Sequence, residues 1–279
     1  MYFFASVIIY ENLIFNKILI DFLNKNRYNI FKGVETLMKK WFLRILLLLF
    51  CALIVFAGVF IFNGYQLYKQ ALDTISLPDK INQIKQDDTY IRLEDLPKDY
   101  KDAVISVEDR RYYKHGPIDL IGIARATVTN IKNKEFLEGG STITQQVAKN
   151  LYFISPTENA ALRKIAEIFM AYDLEKSYNK DEILEFYVNT IYFGDGYYGI
   201  QEACQGYLKI DAKNMTLFDS TMMAGIPNAP SAYAPTVNLE LTFNRQGKVI
   251  STMVENKYIT QEQADKLIQS QSDFELPTK

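Results

Sequence analysis

The 279-residue chain has two cysteines, one histidine, one tryptophan and a formal net charge of only −2. Each shortage removes a class of reading. Cys51 lies inside a long apolar run and Cys204 is the only thiol beyond it, so no intramolecular disulfide is expected in the part that follows the run. Charges of both signs that nearly cancel give no basis for a nucleic-acid surface. The single tryptophan stands against 19 tyrosines and 18 phenylalanines, which suit a well-filled core or an aromatic-lined cleft. Strand patterning is also nearly missing: only Thr89 to Leu93 alternates, as a short strand or extended segment. No internal repeat is present, and the length allows one large domain or two small ones. The expected class is mainly α.

What the chain does have begins with apolar residues from Trp41 to Phe62, interrupted by Arg44 one turn from the start. Such a run meets the roughly 20 residues needed to cross a bilayer. It is longer than the roughly 7–15 residues of a signal-peptide core and no small-x-small site follows it, so it reads as an uncleaved anchor. Lys39, Lys40 and Arg44 assign its N-terminal side to the cytoplasm and the remainder to the outside. Met38-Lys39-Lys40 has the form of a translation start, so residues 1–37 are expected to be an over-extended N-terminus, the alternative being an additional membrane-associated cytoplasmic segment. The expected organisation is an anchor over 38–65, a polar helix-compatible stalk over 66–95, a catalytic domain over 96–272 and a tail over 273–279.

Chemistry concentrates in Ser106 to Asp119, where three acids, three bases and the one histidine follow an apolar helical run. Pro97 suits a first turn, and Tyr100, Ala103, Val104 and Val107 repeat at helical spacing, which sets Glu108 at the end of a half-buried helix. A carboxylate there can be desolvated enough for acid–base work, although a plain charged helix end has the same pattern. A helical stripe, Leu120, Ile123, Ala124, Thr127, Val128 and Ile131, begins at Asp119.

Glu138-Gly139-Gly140-Ser141-Thr142-Ile143-Thr144-Gln145-Gln146 then combines a glycine turn with Thr142 and Gln145 at capping-box spacing. A helix opening in this way presents N–H groups suited to phosphate, with Lys149 two turns along to add charge. Leu162, Ile165, Ala166 and Phe169 predict a buried stripe, with Arg163, Lys164 and Glu167 on another face. The bland account of that triplet is a surface ion pair worth about 0.3–0.5 kcal/mol. The alternative is a second active-site acid held beside phosphate-binding cations.

Ser177-Tyr178-Asn179-Lys180 matches a serine-x-x-lysine pattern but lacks a Lys-Thr-Gly or Lys-Ser-Gly partner, and Asn179 reads as a helix cap. The following helix carries Ile183, Leu184, Tyr187, Val188 and Ile191. Gly194 to Gly199 is a glycine–aromatic loop that suits either a sugar or a plain turn. A helix near Leu217 to Ala224 leads into a proline-rich wrap, Pro227 to Pro235. Two helices finish the chain, the second opened by Thr260 and Gln263, with Ala264, Leu267 and Ile268 expected inside.

Together these blocks resemble the peptidoglycan glycosyltransferases, glycosyltransferase family fifty-one, over about Leu96 to Asp265. The motifs are Glu108-Asp109 to His115; Gly139 to Gln146; Arg163-Lys164 with Glu167; Tyr187-Val188-Asn189 to Ile200; and Ala224 to Ser231. The resemblance implies a lysozyme-like, two-lobed, mainly α domain behind a single membrane helix. It implies polymerisation of lipid II into β-1,4 glycan strands with release of undecaprenyl pyrophosphate. By that likeness Glu108 is the general base toward the acceptor 4-hydroxyl. Glu167 assists the leaving pyrophosphate, directly or through a divalent metal (magnesium or manganese) beside it. Asp109, His115, Ser141, Thr142, Gln145, Gln146, Lys149, Arg163, Lys164 and Asn189 are the implied substrate contacts. No organic cofactor is implied. The implied partners are lipid II, the growing strand, membrane lipid, and penicillin-binding transpeptidases or other wall-building proteins. The chain's length resembles the monofunctional members.

Four positions depart from the family pattern: Tyr112 for phenylalanine, Gly116-Pro117 after the histidine, Asn159 where an arginine often stands, and Leu208 for phenylalanine. Two other readings share the residues. A lysozyme-like glycan-cleaving enzyme would use Glu108 as a general acid but has no need of a pyrophosphate site. An inactive wall-synthesis scaffold would not need Glu108 and Glu167.

Overall fold

In the computed structural model, which describes residues 2–133, 139–154 and 159–277, every regular element among the described residues is helical. The β-type pairing there is an isolated antiparallel bridge between Tyr192 and Tyr198. Thr89 closes a turn, Tyr90 to Arg92 run on irregularly, and Leu93–Asp95 forms a short 3-10 turn, so no strand forms.

The first helix, α1, covers Tyr2–Thr74. Within it, Asn16–Thr74 is long and apolar enough to cross a membrane, by length and composition. The chain divides into two units, Met1–Phe60 and Ile61–Lys279. In the first, the large apolar side chains from Trp41 to Phe56 are exposed, as a membrane-spanning segment requires.

The second unit holds the remaining elements. They are α2 (Leu77–Lys85), α3 (Lys98–Glu108), α4 (Leu120–Asn133), α5 (Ile143–Tyr152), α6 (Ala160–Ser177), α7 (Lys180–Thr190), α8 (Ile200–Leu208), α9 (Leu217–Gly225), α10 (Pro230–Tyr233), α11 (Leu239–Glu255) and α12 (Gln261–Ser270). The stretch expected to be a free stalk is in fact packed: Ser76 caps α2, and Leu77 and Ile81 enter the core.

Two helix groups form around the site. In one, α3 packs against α9 and α11; in the other, α5 packs against α6 and α7. Local sequence explains the helix starts. Asn179 and Glu182 form a reciprocal capping box on α7, and Thr260 and Gln263 form another on α12. The inward face of α7 is as expected, with Ile183, Leu184, Tyr187, Val188 and Ile191 all buried.

The apolar patterns of α6 and α12 face differently from expectation, and that of α4, read only as a helical stripe, turns outward. On α6 the fully buried residues are Ala166, Met170, Ala171 and Leu174. Leu162, Ile165 and Phe169 are only half-buried, because they receive the C-terminal turns of α1: Phe169 meets the rings of Tyr65 and Tyr68. Ile268 on α12 stays exposed. The most exposed is α4, whose Leu120 and Ile131 are 75% and 73% exposed, with Ile121 and Val128 also exposed. Among the described residues of this helix only Gly122 and Ala126 are buried, so its apolar stripe points away from the core.

Candidate active site

Between the two helix groups lies a cavity of about 450 Å³. Its lining includes Ser106, Glu108, Arg110, Arg125, Gly139, Gly140, Ser141, Gln145, Gln146, Lys149, Lys164, Glu167, Asn228, Arg245, Lys248 and Thr252. Glu108 and Glu167, far apart in the chain, therefore share one cavity. Residues from α3, α4, α5, α6 and α11 meet in it, together with the glycine turn before α5.

Glu108 is the last residue of α3, where the helix turns away at Asp109. Its side chain is 10% exposed. One oxygen, Oε2, accepts a hydrogen bond from Gln146 Nε2 at 2.7 Å. The other, Oε1, is buried without a hydrogen-bond partner and has Arg245 Nη2 at 3.9 Å. Burial pushes the carboxyl above the usual range, the Gln146 bond and Arg245 charge oppose that rise, and neighbouring Asp109 adds to it. A carboxylate with one fixed and one unengaged oxygen is equipped to accept a proton.

Glu167 is buried more deeply and is differently surrounded. Lys164 Nζ donates to its Oε2 at 3.0 Å and to Ser141 Oγ at 2.8 Å. Arg163 Nε lies 3.4 Å from Oε1. The triplet is thus not the surface pair that a value of a few tenths of a kcal/mol would describe. Only 5% of the Glu167 side chain is exposed, while Arg163 and Lys164 are 25% and 41% exposed, so the carboxylate is held inside and its cations reach it from the cavity rim. Both oxygens face cations, a donor set that fits an anionic ligand at Lys164 and fits a protein-bound divalent metal poorly.

Asp109 and His115 lie in the wall behind the cavity. Asp109 Oδ1 is 2.7 Å from His115 Nε2, and Asp109 Oδ2 accepts from the Ile143 backbone N–H at 3.2 Å. Burial raises the Asp109 carboxyl, with the His115 bond opposing. Asp109, His115 and Asp119 bring ligand-type atoms within 4.8 Å of one another. These atoms are engaged: Asp119 pairs with Arg111 at 3.3 Å and accepts from Ile121 N, and His115 Nδ1 sits 2.6 Å from Gly116 O. The cluster joins the end of α3 to the start of α5, so it fixes Glu108 relative to Gln146.

Thr142 is likewise a wall residue. It caps α5 by accepting from Gln145 N and donates to Pro117 O at 2.9 Å, while Gln145 Nε2 reaches the same carbonyl. Only half of the expected capping box forms. Two first-turn N–H groups, those of Ile143 and Gln145, are taken by Asp109 and Thr142, so the expected phosphate seat at this helix start is partly filled. The hydroxyl and cations that line the cavity there come instead from Ser141, Lys149, Lys164 and the arginines Arg110, Arg125 and Arg245. Gly140 permits this turn to lie against α4, since a Cβ there would stand 3.3 Å from Ile123 Cγ1. Glu138 lies outside the described residues.

Asn189 sits apart from the other expected contacts. Its Oδ1 accepts from Ile91 N at 2.9 Å, and its Nδ2 donates to Ile91 O and Glu185 O, both at 2.8 Å. It lies away from the cavity that holds the two glutamates, and its amide ties the segment at Ile91 to α7.

The departures from the family pattern have local explanations. The Tyr112 hydroxyl donates to Lys180 O at 2.7 Å. Pro117 supplies the carbonyl on which Thr142 and Gln145 converge. Asn159 caps α6, accepting from Ala161 N and Leu162 N. Leu208 is buried.

Sequence reasoning missed Arg110, Arg125, Asn228, Arg245, Lys248 and Thr252. A signal was present on α11. Arg245, Lys248, Thr252 and Glu255 form a polar stripe at helical spacing beside the buried Thr242, Gln246, Val249, Ile250 and Met253.

A family model described as Transglycosylase matches residues 77–254. Penicillin-binding protein 1A of Neisseria lactamica is 42% identical over 209 residues, covering 74% of this chain and 26% of that protein. Penicillin-binding protein 1A of Vibrio cholerae is 42% identical over 175 residues, covering 63% and 21%. The chain thus spans about a quarter of the length of the curated relatives it matches. A crystal structure of penicillin-binding protein 1A from Haemophilus influenzae is 28% identical, with a TM-score of 0.32, over 46% of this chain and 16% of that one. That likeness is too partial to bear on the fold.

Proposed function

The chain belongs to the transglycosylase family, and from that premise we propose that it is a membrane-anchored peptidoglycan glycosyltransferase, polymerising lipid II into β-1,4 glycan strands for cell-wall synthesis. One observation carries the reading: Glu108 and Glu167 line a single cavity, one with an unengaged oxygen and the other among cations.

In this reaction the acceptor's 4-hydroxyl attacks the anomeric carbon of the donor sugar. The C–O bond to the lipid pyrophosphate breaks as the new glycosidic bond forms. Glu108 Oε1 takes the hydroxyl proton, while Gln146 holds the other oxygen in place. Charge develops on the departing pyrophosphate, where Lys164, Lys149 and the Ser141 hydroxyl stand ready to stabilise it. Glu167 orients Lys164 and offsets its charge before the substrate arrives.

The exposed apolar side of α4 supports a lipid-borne substrate, because the same helix lends Arg125 to the cavity. The excess of lysine and arginine on the N-terminal side of the apolar run supports a cytoplasmic N-terminus and an external catalytic domain. The test is lipid II consumption by the full chain in detergent. Lengthening glycan strands are expected, and conversion of long strands to short ones without polymerisation would overturn the reading.

A further inference from the structure

The cavity wall formed by α11, with α9 and α10 packed behind it, contains a device that the reaction described so far does not use. Arg245 enters the cavity from α11 with only 11% of its side chain exposed. Its Nε donates to the Gly225 carbonyl at 3.3 Å, and its guanidinium carbon lies 5.9 Å from the centre of the Tyr233 ring. The α9 end is shaped around it: a Cβ on Gly225 would stand 3.0 Å from Arg245 Cγ. The Arg245 side chain is thus gripped along its length, with Nη2 held 3.9 Å from the unengaged Oε1 of Glu108.

We propose that Arg245 is the positioning residue of the base, holding Glu108 as an aimed carboxylate while leaving Oε1 open to the acceptor hydroxyl. This rests on the reading of Glu108 as the general base and deepens it. The separation is part of the argument. At 3.9 Å the cation acts through its field without occupying the oxygen's lone pairs as a direct hydrogen bond would. Gln146 restrains Oε2, so the two residues divide the work: the amide fixes orientation and the guanidinium sustains charge.

Arg245 is well suited to that task among the groups facing Glu108. Asp109 is acidic and raises its proton affinity. The phenols of Tyr100 and Tyr187 are buried, lack hydrogen-bond partners and are pushed well above their usual range, first by burial. Gln146 is uncharged. The favourable charge opposing burial at this carboxylate comes from α11.

The test is the pH profile of lipid II polymerisation by the full chain, comparing wild type with Arg245→Met, Arg245→Lys, Gly225→Ala and Glu108→Gln. Glu108 must be deprotonated to act, so loss of the cation moves the acidic limb of kcat/KM upward. An opposite charge at this range is worth about one to three pH units, so Arg245→Met should be at least about tenfold slower below the displaced limb and recover toward alkaline pH. Arg245→Lys retains a positive charge and should keep a limb nearer wild type. Gly225→Ala leaves the guanidinium present but displaces it, and should shift the limb in the same direction by less. That variant keeps the test decisive if Arg245→Met fails to fold.

A limb unmoved in both Arg245→Met and Gly225→Ala, with only a rate loss uniform in pH, would overturn the inference. So would an Arg245→Lys limb displaced as far as that of Arg245→Met. Those results leave the base assignment standing, provided Glu108→Gln is inactive. Near-normal polymerisation by Glu108→Gln would instead refute the assignment itself.

Discussion

The two acids of the cavity are both largely shielded from water and opposite in company. Glu108 has one amide bond and a cation held at a distance; Glu167 has a cation on each oxygen. The same side chain thereby meets two different settings. Burial with weak compensation leaves a carboxylate that gains by accepting a proton, whereas burial between cations makes a carboxylate that organises positive charge for another anion. Two glutamates in one cavity serve two ends because α3 and α6 deliver them with different neighbours.

The largest expected effect breaks the Glu108 side of this contrast. Glu108→Gln preserves shape and the possibility of the Gln146 contact but removes the base, and should lower polymerisation by about 10²–10⁴-fold. Lys164→Met attacks the other side. It removes the group shared by Glu167 and Ser141, and should lower kcat/KM by about 10–10²-fold while leaving the acidic limb of the pH profile in place.

The pH profile sharpens the comparison further. Burial raises the Glu108 carboxyl, so wild-type activity should rise with pH along a limb set above the ordinary carboxylate range. The sign for stability follows from the same shift. A carboxyl that binds its proton more tightly when folded destabilises the native state once ionised, and that cost disappears as pH falls through the folded value. Glu108→Gln should therefore melt slightly higher than wild type at neutral pH, with the difference closing in acid. The smallest effect on activity is expected at Asn189. Asn189→Ala leaves the Ile91 N–H and C=O without their partner and should cost about 1–3 kcal/mol in thermal denaturation, with KM for lipid II unchanged.

Much of this architecture was legible in the sequence where local rules act alone. Asn179 as a helix cap, Thr260 with Gln263, and the placing of Glu108 at a helix end depend on spacing within a few residues, and all three appear as read. The Arg163, Lys164 and Glu167 grouping was legible for the same reason, but its burial was not. That depends on which face of α6 meets α5 and which receives the end of α1. The outward stripe of α4 shows the limit of periodicity: a repeat of apolar residues identifies a face without saying whether protein or lipid covers it.

Asn189 shows a second limit. An amide in a recognised motif has the same letters whether it binds a ligand or ties down a backbone segment from nearly a hundred residues away. Arg245 shows a third, since its partner Glu108 lies far back in the chain and only the packing of α3 against α11 brings them together. The departures at Tyr112, Pro117 and Asn159 became intelligible only when their hydrogen-bond partners were known.

The division of labour between the two glutamates is tested most directly by initial rates of lipid II polymerisation for Glu108→Gln across the pH range in which the protein stays folded. The account predicts no recovery at any pH, because the amide cannot take the acceptor's proton. Turnover near wild type at any point in that range would contradict it.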